Sequence, residues 1–395
     1  MSAHLSVTGN EINWPATPSG VTDVTVHNTL PKLLLHNARI DPNAVAQREK
    51  DFGIWQAYSW AEMNRRVSRL ALGMQELGLQ GGDVVGIIGD NRPEWVWAEV
   101  ATHACKAMSL GLYRDTLEEE IFYLLDYAKP RIIVAEDEEQ VDKFLMLEDR
   151  IPSVQWIIYH DARGMGKYDD PRLVYIDDVE ARGQQRLDAQ ANSYELLVED
   201  TSGDDIAILC TTSGTTSNPK LAMWRHDALL GHAANYLRAD PRQPGDEYLA
   251  VLPLPWVMEQ MYSVAWNLVA RMTVNFPEQE HTAMHDLREI GPHFVLLSPR
   301  VWEVVAADVR ARTMDSSKWK RAIYDFGVRQ GTKAIDRGKK AHVTDRVLFR
   351  ALRDQLGFTR LQSAATGGAA MGPDTFKYFK AMGVPLKQLY GQTEA

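Results

Sequence analysis

Short apolar runs alternate with amphipathic segments along this chain, and that alternation restricts the fold more than any other feature. Val84-Val85-Gly86-Ile87-Ile88 contains no polar residue, so it reads as a strand buried on both faces. Before it, Val67, Leu70, Met74 and Leu77 share one helical face; Gly78 can end that helix, and Gly81-Gly82-Asp83 turns the chain. After it, Asn91 can cap a helix that carries Pro93 in its first turn. Thr116 and Glu119 have the spacing of a capping box ahead of Ile121, Leu124 and Leu125. Glu118-Glu119-Glu120 suits the positive end of that helix's dipole. Pro130 stops it, and Arg131 to Ala135 reads as the next strand. Apolar strands joined by helices predict an α/β fold of mostly parallel sheets covered on both faces.

A polar stretch from Arg163 to Gly203 interrupts the rhythm. It resumes with strands predicted at Ile206–Cys210, Tyr248–Leu252, Met272–Phe276, Phe294–Leu297, Leu361–Ala364 and Pro385–Leu389, and with a helix near Pro373–Met382. A length of 395 residues exceeds one small core and predicts two or three packed subdomains. Residues 1–27 read as a loose arm. Two α/β subdomains are expected over about 85–225 and 28–84 plus 226–395.

The formal net charge of −10 argues against a nucleic-acid partner, which needs concentrated Lys and Arg. The cysteines, Cys105 and Cys210, form no CxxC pair and read as two free thiols in a reducing cytoplasm. No secretory signal and no run of about 18 apolar residues is present. A peripheral membrane contact and a homodimer stay open. Residues about Ser317 to Leu356 read as basic and helical, and the Lys and Arg residues from Lys318 to Arg353 as a solvated helix face. His281 and His285 lie four apart, without the HExxH pattern of a metal site. His226 and His232 read as surface or packing residues. Trp55, Trp60, Trp95 and Trp97 are expected in the core or at sheet edges.

Three loops carry chemistry. Thr211-Thr212-Ser213-Gly214-Thr215-Thr216-Ser217-Asn218-Pro219-Lys220 follows a strand and has six hydroxyl residues, one Gly and a terminal Lys. Hydroxyls and free backbone N–H groups donate to phosphate oxygens, the Gly admits close approach, and the Lys adds charge. It is not a Walker loop, because GxxxxGK[ST] is absent. Taken alone it reads equally as a polar surface loop. Tyr390-Gly391-Gln392-Thr393-Glu394 also follows a strand; a ring can stack on a base, a hydroxyl can reach a phosphate and a carboxylate can hold Mg²⁺. Thr366-Gly367-Gly368-Ala369-Ala370 would let a flat ring lie against the backbone.

Together these loops resemble the adenylate-forming superfamily of acyl-CoA synthetases, luciferases and peptide-synthetase adenylation domains. The first is similar to that family's TSGTTGxPK loop, with Ser217 where Gly is usual, and the last to its YGxTE motif. Gly89 to Trp95, Leu112 to Ala135, Leu252-Pro253-Leu254-Pro255 and Pro299-Arg300-Val301-Trp302 look like the long-chain fatty acyl branch. In that branch a His usually follows LPL; here Trp256 stands near the place, followed by Glu259, in a segment that borders the acyl pocket.

The resemblance implies two interleaved, mostly parallel sheets, and activation of a hydrophobic carboxylic acid by ATP, Mg²⁺ and coenzyme A. Thr212, Ser213, Gly214, Thr215, Thr216 and Lys220 would hold the β- and γ-phosphates. Thr393 would meet the α-phosphate region and Glu394 the Mg²⁺. Tyr390, Gly391 and Gly367, Gly368, Ala369 and Ala370 would hold adenine. An aryl or alicyclic acid, a carrier protein as acceptor, or a nucleotide-binding homologue without turnover are the competing readings. The family's ribose-binding Asp and lid Lys do not occur within the 395 residues. The chain is therefore expected to be the N-terminal part of a longer protein, binding ATP weakly and adenylating poorly by itself.

Overall fold

The computed structural model describes residues 6–8, 11–13, 20–212, 219–338 and 342–393. The chain forms two compact units, one of Met1–Gly245 with Pro253–Phe276, the other of Asp246–Leu252 with Pro277–Thr393.

In the first unit a seven-stranded sheet is built around Val84–Ile88, all five of whose residues are buried. Met108–Leu112 and Ile132–Ala135 flank it in parallel. Outward lie Trp156–Tyr159 and Leu173–Tyr175 on one side and Ile206–Thr212 on the other, again parallel; Lys220–Arg225 closes that edge antiparallel. Leu110, Leu112, Ile121, Leu125, Ile133 and Phe144 are fully buried against this sheet, as strands covered on both faces require. The same unit holds Val45–Asp51, paired antiparallel with Ile54–Ser59 and parallel with Thr273–Phe276.

Helix Trp60–Glu76 starts at a capping box in which Ser59 and Glu62 bond each other's backbone. It crosses helix Ile176–Ala189 so closely that a Cβ on Gly73 would stand 2.0 Å from the Val179 carbonyl oxygen, and one on Gly183 1.8 Å from that of Arg69. Leu30–Ile40 and Trp60–Glu76 lie within the first unit.

Three local expectations are corrected. The polar stretch 163–203 contains strand Leu173–Tyr175 and helices Ile176–Ala189 and Ser193–Glu199; the longer helix buries only Ile176, Val179, Glu180 and Gly183, too narrow a strip to register as apolar periodicity. Asn91 does not cap helix Pro93–Ala104, whose N-cap is Arg92; its Oδ1 accepts from Leu254 N at 3.0 Å. Thr116 makes no capping box either. A turn bonding Thr116 N to Tyr113 O moves the boundary to Leu117, and Glu119 pairs with Arg150 at 2.7 Å.

In the second unit Glu247–Leu249, Phe294–Leu296, Ser363–Thr366 and Leu386–Gln388 lie side by side in parallel. Trp302, Phe358 and Phe379 pack against them, the Trp302 and Phe379 rings 4.7 Å apart. Both units are thus α/β with mostly parallel strands. Both cysteines are free and buried. Trp60, Trp95 and Trp97 are buried, and Trp55 sits half-buried in the edge strand Ile54–Ser59. Among the described residues no helix is long and apolar enough to cross a membrane.

Candidate functional site

The first unit positions both ends of the hydroxyl-rich loop. Thr212 ends strand Ile206–Thr212, Lys220 opens strand Lys220–Arg225, and the two residues stand directly opposite in the antiparallel pair. The loop therefore leaves the carboxyl end of a strand that runs parallel to its other neighbour, where helices and strands of this architecture leave room for a ligand. Thr212 is buried and Lys220 exposed. Ser213, Gly214, Thr215, Thr216 and Ser217 lie outside the described residues.

The second unit brings the other two loops together. Ser363–Thr366 and Leu386–Gln388 are adjacent parallel strands, so the loops at their carboxyl ends emerge side by side. Leu389 N donates to Thr366 O at 2.8 Å, and a Cβ on Gly367 would already touch Leu389 Cβ at 3.5 Å. Gly368 has φ +82°, a left-handed conformation that favours glycine. Gln388 fastens the turn: its Nε2 donates to Ala369 O at 3.0 Å and its Oε1 accepts from Met371 N at 3.3 Å. Beside this loop the Tyr390 ring is 95% exposed. Thr366 Oγ1 is buried with no partner among the described residues. A free aromatic face, a loop of small residues and an unsatisfied hydroxyl suit a flat, polar heterocycle. Ala369, Ala370 and Gly391 are exposed and Thr393 is half-buried; Glu394 lies outside the described residues. Gln388 was not singled out in the sequence; its one signal is its place two residues before Tyr390.

The segment after Leu252-Pro253-Leu254-Pro255 is helical and deeply packed. Trp256 is half-buried at its N-terminus. Glu259 is fully buried, and Ser263 Oγ donates to its Oε1 at 2.5 Å. Gln260–Trp266 winds as a π-helix, a form found in short pieces at functional sites. Gln260 Nε2 reaches across to Glu99 Oε2 at 3.1 Å and to Leu254 O at 2.9 Å. Glu99 is 1% exposed and pairs with no cation among the described residues; burial pushes its carboxyl up to about 7. Burial also pushes the Cys210 thiol, near Glu99, up to about 12, so it is not a nucleophile at neutral pH. The sequence hint of Glu99 was a carboxylate within the otherwise apolar Trp95 to Ala101 run. His285 stands beside Asp286 and Glu289, each at 3.4 Å. Asp286 Oδ2 already accepts from Thr282 Oγ1 at 2.8 Å and Glu278 N at 3.1 Å.

The adenylation-domain and carrier-domain pair of a carboxylic acid reductase from Segniliparus rugosus, solved with AMP, superposes on 95% of this chain and 55% of its own with a TM-score of 0.68 at 17% identity. That likeness defines the fold as that of the large domain of adenylate-forming enzymes. The chain belongs to the AMP-binding enzyme family, whose pattern it matches over residues 34–395. It is 27% identical to the long-chain-fatty-acid–CoA ligase ACSBG2 of Xenopus laevis, over 94% of this chain and 51% of that protein. It is 25% identical to the long-chain-fatty-acid–CoA ligase FadD15 of Mycobacterium bovis, over 93% of this chain and 61% of that protein. The chain thus spans between half and two thirds of the length of these curated relatives.

Proposed function

We propose that this chain supplies the nucleotide-binding part of an enzyme that activates a long-chain fatty acid with ATP and passes it to coenzyme A. The observation that carries the reading is the AMP-binding family match over residues 34–395, joined to relatives that bear the name of long-chain-fatty-acid–CoA ligases. The pairing of the Gly367–Ala370 loop with Tyr390 supports a nucleotide base at that place.

A carboxylate is a poor acyl donor because its leaving group would be oxide. In the first step its oxygen attacks the α-phosphorus of ATP and pyrophosphate leaves, giving an acyl-adenylate. In the second the coenzyme A sulfur attacks the acyl carbon, its proton is lost, and AMP leaves. The protein must offset the triphosphate charge and align the reacting atoms. Lys220 brings a cation to the end of the hydroxyl-rich loop, and Thr212 to Thr216 bring donors for the β- and γ-phosphates. Thr393 serves the α-phosphate region. Mg²⁺, held by Glu394, would neutralise phosphate charge. Tyr390 stacks on adenine over Gly367, Gly368, Ala369 and Ala370. Trp256 and Glu259 border the acyl chain.

The test compares the wild type with Lys220→Ala and Tyr390→Ala in the protein as encoded, across a panel of long-chain, aryl and alicyclic acids. Lys220→Ala should lower acyl-CoA formation about a hundredfold or more, as loss of a charge-stabilising group does. Tyr390→Ala should chiefly weaken ATP binding. Turnover of aryl acids alone, or ATP binding without product, would contradict the reading.

A further inference from the structure

Helix Lys318–Asp336 turns a bulky apolar stripe to the outside. Its inner face is Tyr324, Gly327 and Gly331, all buried; a Cβ on Gly331 would press on the Phe349 ring at 2.9 Å. The other side is the opposite of what a solvated helix needs. Trp319, Ile323 and Phe326 follow one another at i, i+4 and i+7, and are 81%, 46% and 58% exposed. Three large apolar side chains in one helical row are not the scattered singles of an ordinary surface.

The charge around this row is equally lopsided. The helix carries five Lys or Arg against two Asp, and residues 318–353 carry eleven against three, within a chain of net charge −10. Two of those acids are already engaged: Asp336 with Lys377 at 3.0 Å and Asp345 with Arg353 at 2.6 Å. Lys320, Arg329 and Lys333 are exposed and hold no ion pair with any described residue.

We infer that this face docks the protein on an anionic lipid surface. Trp, Ile and Phe enter the boundary between headgroups and acyl chains, while Lys and Arg stems lie along the apolar surface and their charged ends reach the phosphates. The cations are spread along the helical block rather than gathered in a pocket, which fits a field of headgroups better than one acidic side chain on a protein partner. The inference does not depend on the proposed activity.

Co-sedimentation of the protein with phosphatidylcholine vesicles, with and without phosphatidylserine, tests it. The protein should pellet with the phosphatidylserine vesicles, and salt should weaken that binding. Trp319→Ser/Ile323→Ser/Phe326→Ser should reduce partitioning about tenfold or more. Lys320→Glu/Arg329→Glu/Lys333→Glu, at positions where folding is not at stake, should abolish the preference for anionic vesicles. No partitioning of the wild type, or partitioning that neither variant alters, would overturn the inference. So would a serine variant that dissociates a self-associating wild type, since the face would then belong to a second copy, or binding confined to an acidic protein.

Discussion

Gln388 holds Ala369: the amide of one side chain, at the end of its strand, bonds the carbonyl of the loop that leaves the neighbouring strand, at 3.0 Å. The same amide accepts from Met371 N, so a single residue fixes the loop that emerges beside the one carrying Tyr390.

Gln388→Leu keeps the side chain's size and removes both bonds. Each is worth about 1 kcal/mol, so ATP affinity should fall by up to roughly thirtyfold. The residue is exposed, and the melting temperature should hardly move. Calorimetric titration with ATP alongside thermal unfolding reads both; equal affinity for the two proteins would remove Gln388 from the site.

Glu99 should make the protein less stable as pH rises. Its carboxyl is raised from 4.5 to about 7 by burial. The folded state therefore keeps a proton that the unfolded state has lost, and that contribution is complete below about 4.5 and gone above about 7. Glu99→Gln cannot lose a proton, so its advantage over wild type should grow across that window to at most about 3 kcal/mol. Urea unfolding at a series of pH values checks this; a constant difference would show that Glu99 is ionised throughout.

The buried histidines act in the other direction. His103 and His226 meet edge to face with ring centres 5.1 Å apart. Burial holds His103 well below 6.5 and His226 at about 3. Unfolded, both take protons below about 6.5, so their stabilisation is present above that pH and lost as pH falls towards 3. His226→Gln keeps an acceptor for Leu30 N, which reaches His226 Nδ1 at 3.4 Å, and should flatten the acid side of the stability profile. An unchanged slope between about pH 6.5 and pH 4 would contradict the assignment.

Gly73→Ala and Gly183→Ala should each be severely destabilising. A methyl group at either place would overlap a backbone carbonyl, at 2.0 Å and 1.8 Å, and only a shift of one helix relieves it. Overpacking of this kind costs about 1–3 kcal/mol or more. Gly166→Ala, where a Cβ meets nothing within 4 Å, is the control. A thermal midpoint as high for Gly73→Ala as for the control would refute the close crossing.

What the sequence revealed follows from the range of each interaction. Val84–Ile88 was legible because its burial on both faces is written in its own five residues. The strand-to-loop position of Thr212 and Tyr390 was legible for the same local reason. Helix Ile176–Ala189 was not, because its contact is a glycine-to-backbone crossing with a helix more than a hundred residues earlier, which leaves no apolar stripe. The Glu99–Gln260 pair spans 161 positions; nothing near Glu99 announces its partner. Leu117 displaced the Thr116 cap because a turn one residue earlier shifted the helix start, a balance too fine for spacing alone.

Formation of an acyl-adenylate is reversible, so an enzyme that activates its acid this way exchanges labelled pyrophosphate into ATP. In the protein as encoded, exchange should appear only when a long-chain fatty acid is present, require no coenzyme A, and drop with Lys220→Ala. Exchange independent of the acid, or formation of ADP and phosphate in place of AMP and pyrophosphate, would contradict the account.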